Sequence, residues 1–164
     1  MKRVLVPVAL ILAIAVGAGG VGAALASSAK KTQFTANYSG KVTEVVNGDA
    51  VTATPNGNGK GTLIGKSTLT GTVSASTANP PCSPLGGTGL LSGAKSKLKF
   101  SVVTGSRACA AGADEQNNIS FSGSAKVTGG TGALKKARGT LHFSGHYDRG
   151  TGAFTVKLTG TLSY

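Results

Sequence analysis

Apolar or small residues recur at every second position through most of this chain. The clearest case lies near its end, where Leu141, Phe143, Gly145 and Tyr147 alternate with His142, Ser144, His146 and Asp148. After Asp148-Arg149-Gly150-Thr151-Gly152 the pattern resumes as Phe154, Val156, Leu158, Gly160 and Leu162, separated by Thr155, Lys157, Thr159 and Thr161. A period of two places successive side chains on opposite faces of a pleated strand, one dry and one wet. One-sided burial of this kind belongs to antiparallel sheet, since parallel strands covered by helices are apolar throughout.

The same alternation predicts earlier strands over 33–46, 50–54, 61–74, 95–104 and 117–127. Asn47-Gly48-Asp49 is the strongest short-range hairpin signal. Pro55-Asn56-Gly57-Asn58-Gly59 reads as the loop that ends the second strand, and 107–116 as another loop. Residues 77–93 hold Pro80, Pro81, Pro84, Gly86, Gly87 and Gly89, the composition of a long loop. Residues 133–138 are expected to form at most a turn.

Glycine adds a second regularity. Gly40, Gly123, Gly145 and Gly160 fall on the apolar face in mid-strand, and Gly65 and Gly71 share a face with Leu63, Leu69 and Val73. Glycine weakens a strand interior, so its repeated placement on one face needs a cause. The cause inferred is curvature: interior glycines let strongly coiled strands bend until the sheet closes. The expected fold is therefore all-β, an antiparallel eight-stranded up-and-down barrel, with a two-sheet β-sandwich as the alternative.

The N-terminus is a targeting segment. Lys2 and Arg3 precede an uncharged run from Val4 to Ala26 that closes on Ala24-Leu25-Ala26, a small-x-small cleavage pattern. An uncleaved membrane anchor is the competing interpretation, but the second half of the run is glycine- and alanine-rich, which favours cleavage after Ala26. The expected organisation is a signal peptide at 1–26, a polar arm at 27–32 and a single barrel domain at 33–164. Lys2 and Arg3 are two of 17 basic residues, so the exported chain carries 15 against 5 acidic ones, a formal charge of +10. That excess favours polyanions and solubility and says nothing of fold.

Cys82 and Cys109 are the only cysteines, and in an exported chain they are expected to form a disulfide. Closing a loop of about 28 residues is worth roughly 3.5 kcal/mol on the chain-entropy model. A bonded pair must bring its Cα atoms within about 7 Å. The strand at 95–104 carries the chain about 30 Å away at about 3.3 Å per residue. Both conditions hold only if the stretch from Cys82 to Leu91 runs back beside that strand and turns near Ser92-Gly93-Ala94. The first arm of this hairpin, near 85–91, is expected to be a weak edge-like strand, completing the eight.

Candidate chemistry is sparse. Gly61-Thr62-Leu63-Ile64-Gly65-Lys66-Ser67 imitates a phosphate loop, but position 60 is lysine where that motif requires glycine. His142 and His146 share a strand face about 13 Å apart, too far to chelate one ion at about 2 Å per ligand. No serine stands in a Gly-x-Ser-x-Gly elbow. Asp114 and Glu115 are neighbours in a loop and read as hydrated. Glu44 falls on the dry face with Val42 and Val46, where a carboxylate calls for a cation such as Arg138 or for a strand end near water. No catalytic residue, metal ligand or cofactor site is assigned.

Gly129-Gly130-Thr131-Gly132-Ala133-Leu134-Lys135-Lys136-Ala137-Arg138-Gly139 resembles the GGTGxFxxARG segment of plant dirigent proteins and the related allene oxide cyclases, with Leu134 where that family usually has an aromatic. The last forty residues more closely resemble exported bacterial proteins of unassigned function that end in TGxFTxxxTGTLSY. The resemblance implies an eight-stranded antiparallel barrel with a hydrophobic cavity, often trimeric in plants. It carries no catalytic position onto this chain.

The expectation is an exported, non-enzymatic barrel in the cell envelope or outside the cell, holding a small apolar ligand or acting as a surface protein. A binder of anionic envelope polymer, using Lys95, Lys97, Lys99, Lys126 and Lys157, is the second expectation. An isomerase or cyclase of the allene oxide cyclase or dirigent type is the third. A homo-oligomer stays open, membrane contact enters only through an uncleaved leader, and nucleic acid ranks low because no aromatics interleave the lysines.

Overall fold

The computed structural model describes residues 30–78, 80–110 and 117–164. The leader at 1–26 with its cleavage after Ala26, most of the arm at 27–32, and the Asp114-Glu115 pair lie outside them. The strands are β1 (Lys31–Asn47), β2 (Ala50–Gly61), β3 (Gly65–Ser76), β4 (Cys82–Pro84) and β5 (Gly86–Gly93), then β6 (Lys97–Val102), β7 (Arg107–Ala110), β8 (Asn118–Gly130), β9 (Arg138–Asp148) and β10 (Ala153–Ser163). Every pairing is antiparallel.

β4 and β7 are short extensions in line with β5 and β6, so the wall has eight staves. Each stave pairs with its neighbours in sequence, and β1 pairs with β10 from Lys31↔Ser163 to Lys41↔Ala153 to close the ring. The fold is a closed eight-stranded antiparallel barrel. A sandwich is excluded, because no two sheets face one another.

The hairpin forced by the cysteines is present. Cys82 sits directly opposite Cys109 in the β4–β7 ladder, bonded to it with the Cα atoms 4.0 Å apart. The chain turns between Gly93 and Lys97 as the cysteine spacing required. Three expectations need correction. β5 is no edge strand, for it pairs with β3 on one side and β6 on the other. Residues 107–110 are strand rather than loop, held by β8 and β4. The second strand does not stop at Thr54 but runs to Gly61, so the third starts at Gly65 and not Gly61.

β2 shows why turn-forming residues misled. Pro55, Gly57 and Gly59 face inward opposite Val42, Gly40 and Tyr38, while Asn56 and Asn58 face water. The β2–β3 ladder skips Thr54 and Pro55, where proline has no N–H to give. Strand alternation continues straight through a stretch composed like a loop.

All five phenylalanines pair across the ladder with glycine. The partners are Phe34↔Gly160, Phe100↔Gly89, Phe121↔Gly145, Phe143↔Gly123 and Phe154↔Gly40. Tyr38↔Gly59 repeats the arrangement. A Cβ on Gly145 would collide with the Phe121 ring and the Thr155 carbonyl, and one on Gly57 would lie 2.7 Å from Phe154 Cζ. Inner-face glycine therefore serves curvature and also makes room for rings that cover the bare backbone. A bulge in the β6–β8 ladder, between Lys99 and Phe100, adds local coiling.

One end of the barrel is filled. Phe34, Leu98, Leu134, Leu141 and Leu162 are almost completely buried there, with Leu134 delivered by a 3₁₀ turn at Gly132–Leu134. Gly132 has φ +59, and a side chain at that position would strike the Lys95 carbonyl. Both described ends of the chain lie at this plugged end, where the Tyr164 N–H donates to the Lys30 carbonyl at 3.2 Å.

Candidate functional site

The opposite end is open because its inward residues are small. Ala53, Ala75, Ala108 and Ala110 line the lumen there in place of the leucines at the other end, leaving a cavity of about 300 Å³. Deeper in, its wall is apolar, built by Val51, Leu69, Phe100, Phe121, Phe154 and Val156. A volume of this size is at the small end of the range for ligand pockets.

An ion pair and a phenol stand together at the mouth, beside Ser76, Thr77 and Ser83. Glu44 on β1 and Arg149, just past β9, form an ion pair at 3.2 Å, with the Glu44 side chain 16% exposed and that of Arg149 42%. The Tyr147 phenol lies beside the Glu44 carboxylate. Burial pushes its pKa above the ordinary 10.0, the charge of Glu44 pushes it further, and the Arg149 guanidinium opposes both. Register explains the meeting. Glu44 is an inward residue near the open end of β1, whereas Tyr147 lies at the end of β9 and Arg149 just past it, two staves away across β10.

Arg149 enters from a constrained turn. The Asp148 carboxylate accepts the Thr151 N–H at 3.0 Å, and hydrogen bonds from Thr151 hold its pKa below the ordinary 3.8. Lys41 Nζ donates to the Thr151 carbonyl at 2.7 Å, tying the turn to β1. The partner of Glu44 is thus Arg149 and not Arg138, which sits opposite Ser163 at the plugged end. Neither Tyr147 nor Arg149 stood out in the sequence. The available signal was that a 149–152 turn closing a hairpin returns its first residue to the barrel rim.

The remaining candidates fall elsewhere. His142 and His146 lie on the outer face, their Nδ1 atoms hydrogen-bonded to Ser124 Oγ at 3.0 Å and Ser120 Oγ at 3.1 Å. Lys97 and Lys99 on β6, Lys126 on β8 and Lys157 on β10 are exposed on outer faces, and Lys95 sits in the turn before β6. Ser67, from the imitation phosphate loop, is buried and shares a 2.7 Å hydrogen bond with the Tyr38 hydroxyl.

The folded chain is similar to two solved structures, the pterocarpan synthase dirigent proteins PsPTS1 and GePTS1. PsPTS1 superposes with a TM-score of 0.56 at 14% identity, covering 82% of this chain and 96% of that one. GePTS1 gives 0.52 at 14% identity, covering 83% and 89%. The fold is that of the dirigent-like barrels. No family model and no curated sequence matches the chain.

Proposed function

We propose that this protein is an extracytoplasmic barrel that carries a small, mainly apolar molecule in its open end. The observation that supports this is the cavity of about 300 Å³, apolar in depth with Glu44, Arg149 and Tyr147 at its mouth. Such a lining suits a hydrophobic body with one polar head: burial of the body supplies affinity and the mouth sets orientation. The Cys82–Cys109 disulfide, with the leader expected at 1–26, supports a location outside the cytoplasm.

Protein purified from its own host should carry the cargo into native mass spectrometry as a discrete added mass. The apolar dye N-phenyl-1-naphthylamine should compete for the same cavity. Ala53→Trp, which places a ring in the lumen, is expected to weaken dye binding about tenfold or more. Affinity unchanged within twofold would remove the proposal.

A second, catalytic reading is favoured by the mouth residues. A carboxylate, a guanidinium and a phenol at the rim of a dry cavity can donate or accept protons and steady charge on a bound molecule. The two similar structures are named as synthases. Chromatography of the released cargo before and after prolonged incubation separates the two readings, since carriage alone returns the molecule unchanged.

A further inference from the structure

We propose that the outer wall holds a second binding site, for a linear hydroxylated polymer bearing spaced anionic groups. The site is separate from the cavity and independent of what the cavity holds. A trough of about 750 Å³ crosses the outer face of β2, β1, β10, β9, β8 and β7. Gly59 and Gly145 border it. At both, the wall lies closer to its neighbours than a Cβ allows, against the Tyr38 ring at Gly59 and the Phe121 ring at Gly145.

Ladder register sets four cations in one row, of which Arg107 and Lys157 line the trough and Lys60 and Lys66 carry the row past its end. Arg107 lies opposite Ser122, Ser122 opposite Ser144, and Ser144 opposite Lys157. The row continues from Lys157 to Asn37, then to Lys60 and Lys66. All four cations are exposed. At about 4.8 Å between strands, Arg107 and Lys157 are about 14 Å apart, and Lys157 and Lys60 about 10 Å. Hydroxyl and amide groups of Ser122, Ser144 and Asn37 occupy the intervals. In the adjoining row His146 has its Nδ1 engaged by Ser120, leaving Nε2 as the nitrogen open to a ligand.

No carboxylate borders the trough among the described residues. Positive charges separated by neutral donors and acceptors complement a chain whose anions are separated by hydroxylated spacers. A planar membrane would bridge a hollow rather than fill it. A nucleic acid would seek exposed rings for stacking, whereas Tyr38 and Phe121 belong to the inner face. The shared ligand chemistry is a polyol backbone with regular anions, either phosphodiester or uronate.

Calorimetric titration with poly(glycerol phosphate), polygalacturonate and neutral dextran tests the site. At least one anionic polymer should bind, dextran should not, and whichever anion binds identifies the source. The double variant Arg107→Glu/Lys157→Glu is expected to lose about tenfold or more in affinity. Lys97→Glu/Lys99→Glu, equal in charge change but outside the trough, should stay within about twofold. Equal losses in both would reduce the effect to net charge and overturn the proposal, as would failure of both polymers to bind. Lysine acetylation of the unaltered protein is a readout that does not depend on any variant folding. Bound polymer should protect Lys157 and leave Lys97 and Lys99 reactive, and uniform protection overturns the site.

Discussion

Glycine placed opposite an aromatic ring is the recurring residue-scale device of this barrel. Because a Cβ at Gly145 would meet both a backbone carbonyl and the Phe121 ring, Gly145→Val has no low-cost relaxation. It is expected to destabilise by about 3 kcal/mol or more, read as a lower urea midpoint. Val156→Ala, on the same inner face, removes methyl groups without forcing strands apart and should cost less, about 1 to 2 kcal/mol. Half of this device was legible. One-face glycines at 40, 123, 145 and 160 announced themselves by period, but their aromatic partners depend on register between strands, which a single sequence does not encode locally.

The phenol at the mouth supplies a second residue-scale test. Glu44→Gln removes a carboxylate that disfavours the phenolate, so Tyr147 should ionise at lower pH than in the unaltered protein. Arg149→Ala removes the opposing cation and should move it the other way. Ultraviolet titration of tyrosinate measures both. Tyr38 and Tyr147 are each held above the ordinary 10.0, so the unfolded chain gives up these protons first as pH rises. Stability from both groups is therefore complete below pH 10 and is lost as pH climbs through their folded values. Urea midpoints at pH 9 and 11 should differ in that direction.

Elements formed where alternation was strict, and also where composition argued otherwise. β9 and β10 were plain from their pattern. β2 was cut short because Pro55, Asn56, Gly57, Asn58 and Gly59 are turn formers, yet the two glycines face inward beneath aromatic rings and the two asparagines face water. Their loop-like chemistry is overridden by tertiary packing. β4 and β7 depend on the Cys82–Cys109 bridge at the open end, where the ladder is only a few residues long. Cys82→Ser/Cys109→Ser is expected to lower stability by about 3 kcal/mol, measured by urea unfolding. Amide exchange should rise first in β4 and β7, while β9 and β10 stay protected. Equal acceleration in all four strands would contradict this.

At the scale of the whole molecule, the ring is completed by a pairing between the first strand and the last. The alternation of 33–46 and of 153–163 was visible separately, but their contact joins opposite ends of the chain. Neither the seam nor the Glu44–Arg149 pair beside the mouth was within reach of local pattern. Such non-local closure makes folding slow relative to helical domains of similar size, on the millisecond to second scale.

The geometry of that seam has a consequence for how the molecule is presented. Lys30 and Tyr164 emerge together from the plugged end, and the cavity opens at the other. Chain that continues from Lys30 or Tyr164 therefore leaves the barrel at its base, with the rim facing away. Immobilisation through Tyr164 should therefore leave access to the lumen unobstructed.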